Sequence, residues 1–517
     1  MSDAVDRGIT VTEIAAMDQP IDAAPETTAA FVGRALRGPL NTPVLIHAFG
    51  DFRRRFGAVW SRSSLGPAVK QFFDQGGRNL YVVRVANNAR GAMICLPASG
   101  SALVLRALEP GSTECVRAAV DYDRIDPGND ELFNLTLQRV DPDSRLVIEQ
   151  EMYRKLSYRE EADSFVADVL LRSSLARVQK PYPSHRPEAT TRGGAKAEAA
   201  WVGHAQDGSD GQELSDYDLV GSRRDGHGIF ALDQVDQLDI LYLPPPGKGV
   251  DVGPAAVLAA ERYCRSRGAM LIVDPGAASR APEDALREVR ERGYASPNMM
   301  SYFPRLVVRK HEDAAARAAG GAIAGLLCKL DRQFGPWTDL DASGLGLSRD
   351  FLPAVPVDEQ DAQVLAREGI NVILPGPAGK ARLTGSTTMA RGSEPQRPLA
   401  SLAVRRLCLR IVNSIDRATR WAVFAPADED LGRRIRSQVF AYLSALVDMG
   451  AFASDRVDVQ CDAGLWGKPA GAAHGISILI SFQPQGCSKP ISLTLKQSAK
   501  GFRVVSTAFA PVNGDGS

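Results

Sequence analysis

Two runs near the middle of the chain, LDILYLPPPG at 238–247 and AMLIVDPG at 269–276, constrain the fold more than any other feature of the sequence. Each is a short apolar stretch closed by proline and glycine, the pattern of a strand buried on both faces of a parallel sheet. Between them PAAVLAAERYCRSRG, 254–268, reads as a helix. Strand, helix and strand in that order form the βαβ unit of an α/β domain.

The same alternation opens the chain. AAFVGRA from Ala29, PVLIHAF, helices around Asp51–Phe56 and Leu65–Asp74, and LYVVRV at 80–85 read as strands and helices of one α/β domain. Texture changes at 102–150, where SALVLRAL, CVRAAVDY, LFNLTLQRV and SRLVIEQEMY are short β-type runs separated by Pro, Gly, Asn and Asp. An all-β module inserted into the α/β domain is expected there. A charged, more helical segment is expected at 153–180, and a polar surface loop at 181–228.

The last third holds an amphipathic helix at 398–416. It carries Val404, Cys408, Ile411, Val412 and Ile415 on one face, with Arg405, Arg406 and Arg410 mostly off it. WAVFAP then reads as a strand. Asp428 caps a second helix, which runs through Ile435, Val439, Tyr442, Leu443 and Leu446 to Gly450. GISILISF, PISLTLKQ and FRVVSTAF, at 475–482, 490–497 and 502–509, are β-type. Near the start, GITVTEI (8–14) is a lone strand followed by the polar tether MDQPIDAAPET. Its backbone groups need a sheet edge, in its own fold or on a neighbouring chain.

Composition narrows the function. At 517 residues the chain is long enough for several cores; at roughly 100–200 residues per domain it divides into about three or four units. Basic and acidic residues both number 61, so no net field draws nucleic acid or anionic lipid. Cys95, Cys115, Cys264, Cys328, Cys408, Cys461 and Cys487 never form a C-x-x-C pair and read as reduced thiols, not as a disulfide framework or a zinc site. The first residues carry no run of signal-peptide character and no stretch reaches membrane-spanning length, so folding in the cytoplasm without membrane insertion is expected.

Motifs with catalytic chemistry are weak. GSTTMARG (385–392) is faintly like the serine loop of subtilisin-type proteases, but no G-x-S-x-G elbow exists, and none of His47, His185, His204, His227, His311 and His474 has a catalytic context. PPPGKGV and GPAGKAR lack phosphate-loop spacing, and DGSDGQELSDYD (207–218) lacks the ligand order of a calcium loop. No catalytic residue, cofactor site or metal site is expected. The basic clusters Arg53–Arg55 and Arg433, Arg434, Arg436 read as solvated helix faces or as a surface complementary to another protein.

AAFVGRALRGPLNTPVLIHAFGDFRRRFG followed by LGPAVKQFFDQGGRNLYVVRV (29–57 and 65–85) resembles the N-terminal signature of the contractile tail sheath family of phages, tailocins and extracellular injection systems. The stretch 206–244, ARLTGSTTM (381–389), 404–452 and VQCD (459–462) are similar to later parts of the same family. The resemblance implies an α/β and α+β multidomain protein. Its parts would be a strand arm with linker at 1–25, a subtilisin-like α/β core at 26–88 and 201–390, an inserted β-sandwich-like module with a helical segment at 89–200, an α+β domain at 391–485 and a β arm at 486–517. It also implies a structural subunit without enzyme activity, which polymerises helically around an inner tube and contracts to drive that tube through a target envelope. A subtilisin-like hydrolase with residual activity is the alternative.

The implied partners are further copies of the chain, the inner tube protein, baseplate proteins and tail terminator or cap proteins, with no nucleic acid. Assembly in the cytoplasm and residence in a phage tail or an injection particle follow from the same likeness. Gly8, Ile9, Thr10, Val11, Thr12, Glu13 and Ile14 correspond to the arm that pairs with a neighbouring subunit, with Arg7-Gly8 where the family usually has Pro-Gly. The exchanged C-terminal strand is either 490–497 or 502–509. Arg433, Arg434 and Arg436 are the candidates for contact with the inner tube.

Overall fold

The apolar runs become the middle of a large sheet. In a computed structural model, residues 20–190, 201–309, 315–390, 399–424, 429–461, 476–498 and 501–508 are described. The chain opens with β1 (Thr28–Gly33), β2 (Val44–Ile46), α1 (Phe49–Phe56), α2 (Leu65–Asp74) and β3 (Asn79–Arg84). A β-rich stretch follows, with β4 (Met93–Ala98), β5 (Ser101–Ala107), β6 (Val116–Asp121), β7 (Leu132–Val140), β8 (Val147–Ser157), α3 (Val166–Val169) and β9 (Ala176–Gln179). The α/β pattern resumes with α4 (Asp216–Val220), β10 (Ile240–Tyr242), α5 (Pro254–Arg267), β11 (Met270–Val273), α6 (Pro282–Arg292), β12 (Met299–Phe303) and β13 (Leu306–Val308). It continues through α7 (Gly320–Phe334), β14 (Gly346–Leu347), β15 (Phe351–Pro353), α8 (Glu359–Arg367), β16 (Ile370–Pro375) and β17 (Ala381–Thr384). The last part holds α9 (Leu402–Thr419), α10 (Glu429–Asp448), β18 (Asp458–Gln460), β19 (Ile476–Phe482), β20 (Ile491–Ser498) and β21 (Gly501–Ala508).

Nine strands form one sheet in the order β14-β17-β16-β12-β11-β10-β1-β3-β2. From β16 to β3 every neighbouring pair is parallel, while β2, β17 and β14 add antiparallel edges. Every residue of β1, β10, β11 and β12 is buried, because helices cover both faces. Side chains alternate along each strand. Phe31, Tyr242 and Ile272 therefore enter one core with residues of α2 and α7, while Val32, Leu241 and Leu271 enter the opposite core with residues of α4 and α5.

The first of these cores depends on glycine. A Cβ on Gly321 would lie 2.4 Å from the Ala68 carbonyl oxygen, and one on Gly325 would lie 2.2 Å from that of Phe72, so α7 meets the backbone of α2. Gly325→Ala would gain about 1 kcal/mol of helix propensity, but the overlap would push the helices apart at about 1–3 kcal/mol. The clash should win, lowering the denaturant midpoint of the unassembled subunit. An unchanged or higher midpoint would mean the helices separate without cost.

The β-rich stretch folds into two antiparallel sheets, β4-β5-β9 and β6-β7-β8. Ile94 and Leu105 from one sheet share a single core with Leu135 and Leu137 from the other. The helical expectation for 153–180 is corrected. Strand β8 runs on to Ser157 and β9 occupies 176–179, leaving only α3 and a 3-10 turn at Leu170–Arg172. Charged residues on the exposed side of an edge strand had mimicked a helix surface. Nor is 201–214 a free loop: bridges Ala118↔Val202 and Met93↔Gln206 tie it to the module, and Asn87↔Gln212 ties it beside β3.

In the C-terminal part, α9 and α10 pack on the antiparallel sheet β18-β19-β20-β21. Val404, Cys408, Ile411, Val412 and Ile415 enter that core with Ile435, Val439, Tyr442, Leu443 and Leu446. Helix α10 stops at Gly450, at φ 78°, and the Ala451 N–H then donates to the Leu446 carbonyl at 3.0 Å. The described part of WAVFAP, 421–424, is not a strand. Residues Arg420–Phe424 continue α9 as a 3-10 helix, carried on by the Arg420–Asp416 pair one turn back. Asp428 lies outside the described residues.

Candidate assembly surfaces

In open α/β sheets ligands bind beyond the carboxyl ends of the strands, where strand order reverses, here between β10 and β1. Arg34, directly after β1, is committed there to structure. Its guanidinium donates to the carbonyls of Asp210 and Gly211, both at 3.1 Å, and lies 4.5 Å from the Trp60 ring centroid. Beyond β11, half-buried Asp274 accepts the Tyr242 hydroxyl at 2.5 Å and the Gly320 N–H at 3.0 Å. Burial raises its carboxyl pKa despite those donors. The crevice beside it holds about 20 Å³, room for about one water, where ligand sites run to roughly 300–1,000 Å³.

The loop from 385 is built as a turn. Thr387 N–H donates to Asn371 Oδ1 at 2.8 Å, and the Thr388 hydroxyl donates to the Leu399 carbonyl at 2.9 Å. His47 contacts Asn79, His204 accepts the Val116 N–H, and His185 contacts the adjacent Ser184. His311 and His474 lie outside the described residues. Among the described residues no group of His, Cys, Asp and Glu is arranged to hold a metal. The acidic loop is used for capping: Asp210 accepts from the Ser112 N–H and hydroxyl, and Asp216 accepts the Gly253 and Ala256 N–H groups at the start of α5. All seven cysteines are unbridged, and burial pushes the Cys408 thiol up to about 12.

Of the first arginine cluster, Arg54 pairs within α1 with Asp51, while Arg55 reaches across to buried Glu109 at 2.6 Å. Glu109 in turn faces Arg139, which binds Glu114 at 2.7 Å and Glu149 at 2.6 Å. Arg37 adds a contact to Asp141 at 3.2 Å. This network joins the nine-stranded domain to the β module. Beside it Arg84, the one charge in LYVVRV, is 1% exposed and donates only to carbonyls, those of Ala35, Leu36, Gly38 and Pro110. A lone arginine inside an apolar strand is the sequence signal of such a buried guanidinium.

Arg433, Arg434 and Arg436 are exposed on the outer side of α10, near Phe440, which is 49% exposed. Arg433 pairs with Asp430 at 3.1 Å and Arg434 lies 4.9 Å from the Trp421 ring centroid. GITVTEI lies outside the described residues. At the other end, β20 is an inner strand whose Ile491, Leu493 and Leu495 fill the C-terminal core, and β21 pairs with it as the edge.

No protein-family model matches the sequence, and no curated protein matches it. Solved structures do match. The sheath tail protein of Listeria innocua superposes over 92% of this chain and 96% of its own, with a TM-score of 0.62 at 13% identity. The chain has the fold of a tail sheath protein. The sheath tail protein of Desulfitobacterium hafniense covers 95% of the chain with all of its own length, at TM-score 0.54 and 12% identity. The helical sheath of the anti-feeding prophage in its contracted state covers 94% of the chain and 98% of itself, at TM-score 0.54 and 15% identity.

Proposed function

We propose that the chain is the structural subunit of a contractile sheath, which polymerises helically around an inner tube and drives it through a target envelope by changing its packing. The observation that carries this reading is the match of nearly the whole chain to sheath proteins over nearly their whole length. In this reading the nine-stranded domain is a subtilisin-like core without catalytic residues. Arms at both ends exchange strands with neighbouring subunits, through 8–14 at one end and, at the other, the edge strand β21, because β20 is already committed to its own core. Exchanged strands keep their main-chain hydrogen bonds while domains rotate on flexible tethers. A head-to-tail contact that does not close on itself extends into a tube. The hydrolase alternative gains no support from the loop at 385–390 or the small crevice by Asp274.

Partners in this reading are further copies, the tube protein, the baseplate and a terminator or cap, with assembly in the cytoplasm before the particle is released. Arg433, Arg434 and Arg436 face the tube in this reading, with Arg434 also lying near Trp421. Negative-stain electron microscopy of the full chain, with and without its tube partner, tests the function. Hollow, helically striated cylinders are expected, and compact particles in both samples would overturn it. Arg433→Glu with Arg436→Glu should leave the subunit folded and weaken co-assembly with the tube at least about tenfold, given a coupling of about 1.5 kcal/mol or more for close charge pairs at interfaces. Unaltered co-assembly would remove these residues from the tube contact.

A further inference from the structure

The segment leading into β1 is tied down more heavily than a connector requires. Ile21 and Ala23 pack against the core of the C-terminal domain. Each of the residues from Pro25 to Thr28 then bonds a side chain from elsewhere in the chain. The Pro25 carbonyl accepts from Arg410, and the Glu26 carbonyl accepts from Gln237 at 2.7 Å. The Thr27 hydroxyl donates to Asp331 and accepts from Arg410 at 2.7 Å, and the Thr28 N–H donates to Asp239 at 2.8 Å. The second carboxylate oxygen of Asp331 takes Arg406. Asp331 stands on α7 of the nine-stranded domain and both arginines stand on α9 of the C-terminal domain, with side chains 5–6% exposed.

Connectors ordinarily run over the surface with their backbone groups in water. A buried Arg–Asp–Arg group is also a poor route to stability, since apolar residues of similar volume often do as well. What this group adds is geometry: the chain is fixed where the two domains meet, immediately before it becomes a central strand of the sheet. We infer that Arg410 and Asp331 form a clamp on Pro25 and Thr27, through which tension on the N-terminal segment passes to both domains at once. The tension rests on the proposed strand exchange; the clamp does not. Without the clamp, a pull from a neighbouring subunit would reach the C-terminal domain only through the packing of Ile21 and Ala23 and the remaining contacts of α9, such as Arg406 with Asp331.

Arg410→Gln removes the guanidinium that bonds Pro25 and Thr27 while Thr27 and Arg406 still bond Asp331, and Thr27→Val removes the bridging hydroxyl at nearly constant volume. Arg262→Gln, exposed on α5, is the control. In the unassembled full chain, amide exchange over residues 20–28 should quicken about tenfold in both clamp variants and not in the control, as expected for a locally opening unit. The C-terminal sheet should exchange as before. Unchanged exchange at 20–28, or an equal rise throughout the C-terminal domain, would overturn the clamp. Tubes of the clamp variants should fragment on contraction where unaltered tubes stay whole; intact variant tubes would overturn the tension role. Failure of the unaltered chain to form tubes would fell the sheath reading, with the exchange measurement still deciding the clamp.

Discussion

Arg84→Met should cost the unassembled subunit about 3–5 kcal/mol, because it leaves several buried carbonyls without their donor at about 1–3 kcal/mol each where no water replaces it. The guanidinium reaches Gly38 and Pro110 at 2.7 Å, Ala35 at 3.0 Å and Leu36 at 3.2 Å. Methionine replaces the aliphatic stem and none of the donors. Burial pulls the pKa of Arg84 down to about 10, with Glu109 and Asp210 opposing the shift, so the group stays charged at neutral pH. Its loss therefore also strips counter-charge from the joint between the sheet domain and the module. Lysine should fall between, because an ammonium is a compact donor without the fork that spans separate carbonyls. Denaturant unfolding at equal subunit concentration measures this. A loss under about 1 kcal/mol would mean that the carbonyls find water or new partners.

What could be read from the sequence followed from periodicity. The apolar runs at 238–247 and 269–276 became β10 and β11 at the middle of the sheet, and the helix expected at Leu65–Asp74 kept those bounds. Periodicity could not say what a polar face meets. Val404, Cys408 and Ile411 were rightly assigned to one side of α9, yet Arg406 and Arg410 opposite them are buried against another domain, and Asp331 lies 75 positions away from Arg406. The errors at 153–180 and at WAVFAP share a cause: a short segment takes its conformation from what it packs on, and local composition carries little of that. Of the proposed assembly surfaces, Arg433, Arg434 and Arg436 are visible in the sequence as a cluster, but the place of Arg434 near Trp421 shows only in three dimensions.

Removing residues 1–19 should leave a folded subunit and abolish ordered tubes. Folding should survive because the truncation ends before Ile21, keeps every tie from Pro25 to Thr28 and leaves all nine strands of the main sheet in place. A change in stability within about 0.5 kcal/mol is expected, as for a substitution away from buried features. Assembly should fail because GITVTEI is the strand proposed to enter a neighbour's sheet. Main-chain hydrogen bonds contribute a net of about 0.5–1.5 kcal/mol each, so a few of them supply several kcal/mol at every contact along a polymer. Sedimentation and electron microscopy of the truncated chain separate the two effects. Normal tubes would sink the arm assignment, and an unfolded subunit would mean that the first residues belong to their own chain's fold. Val11→Pro in the full-length chain tests the same strand without shortening it, since proline removes a ladder donor and restricts the backbone in the middle of the run. If strand exchange holds the tube together, this single change should act like the truncation on tubes and like the unaltered chain on folding.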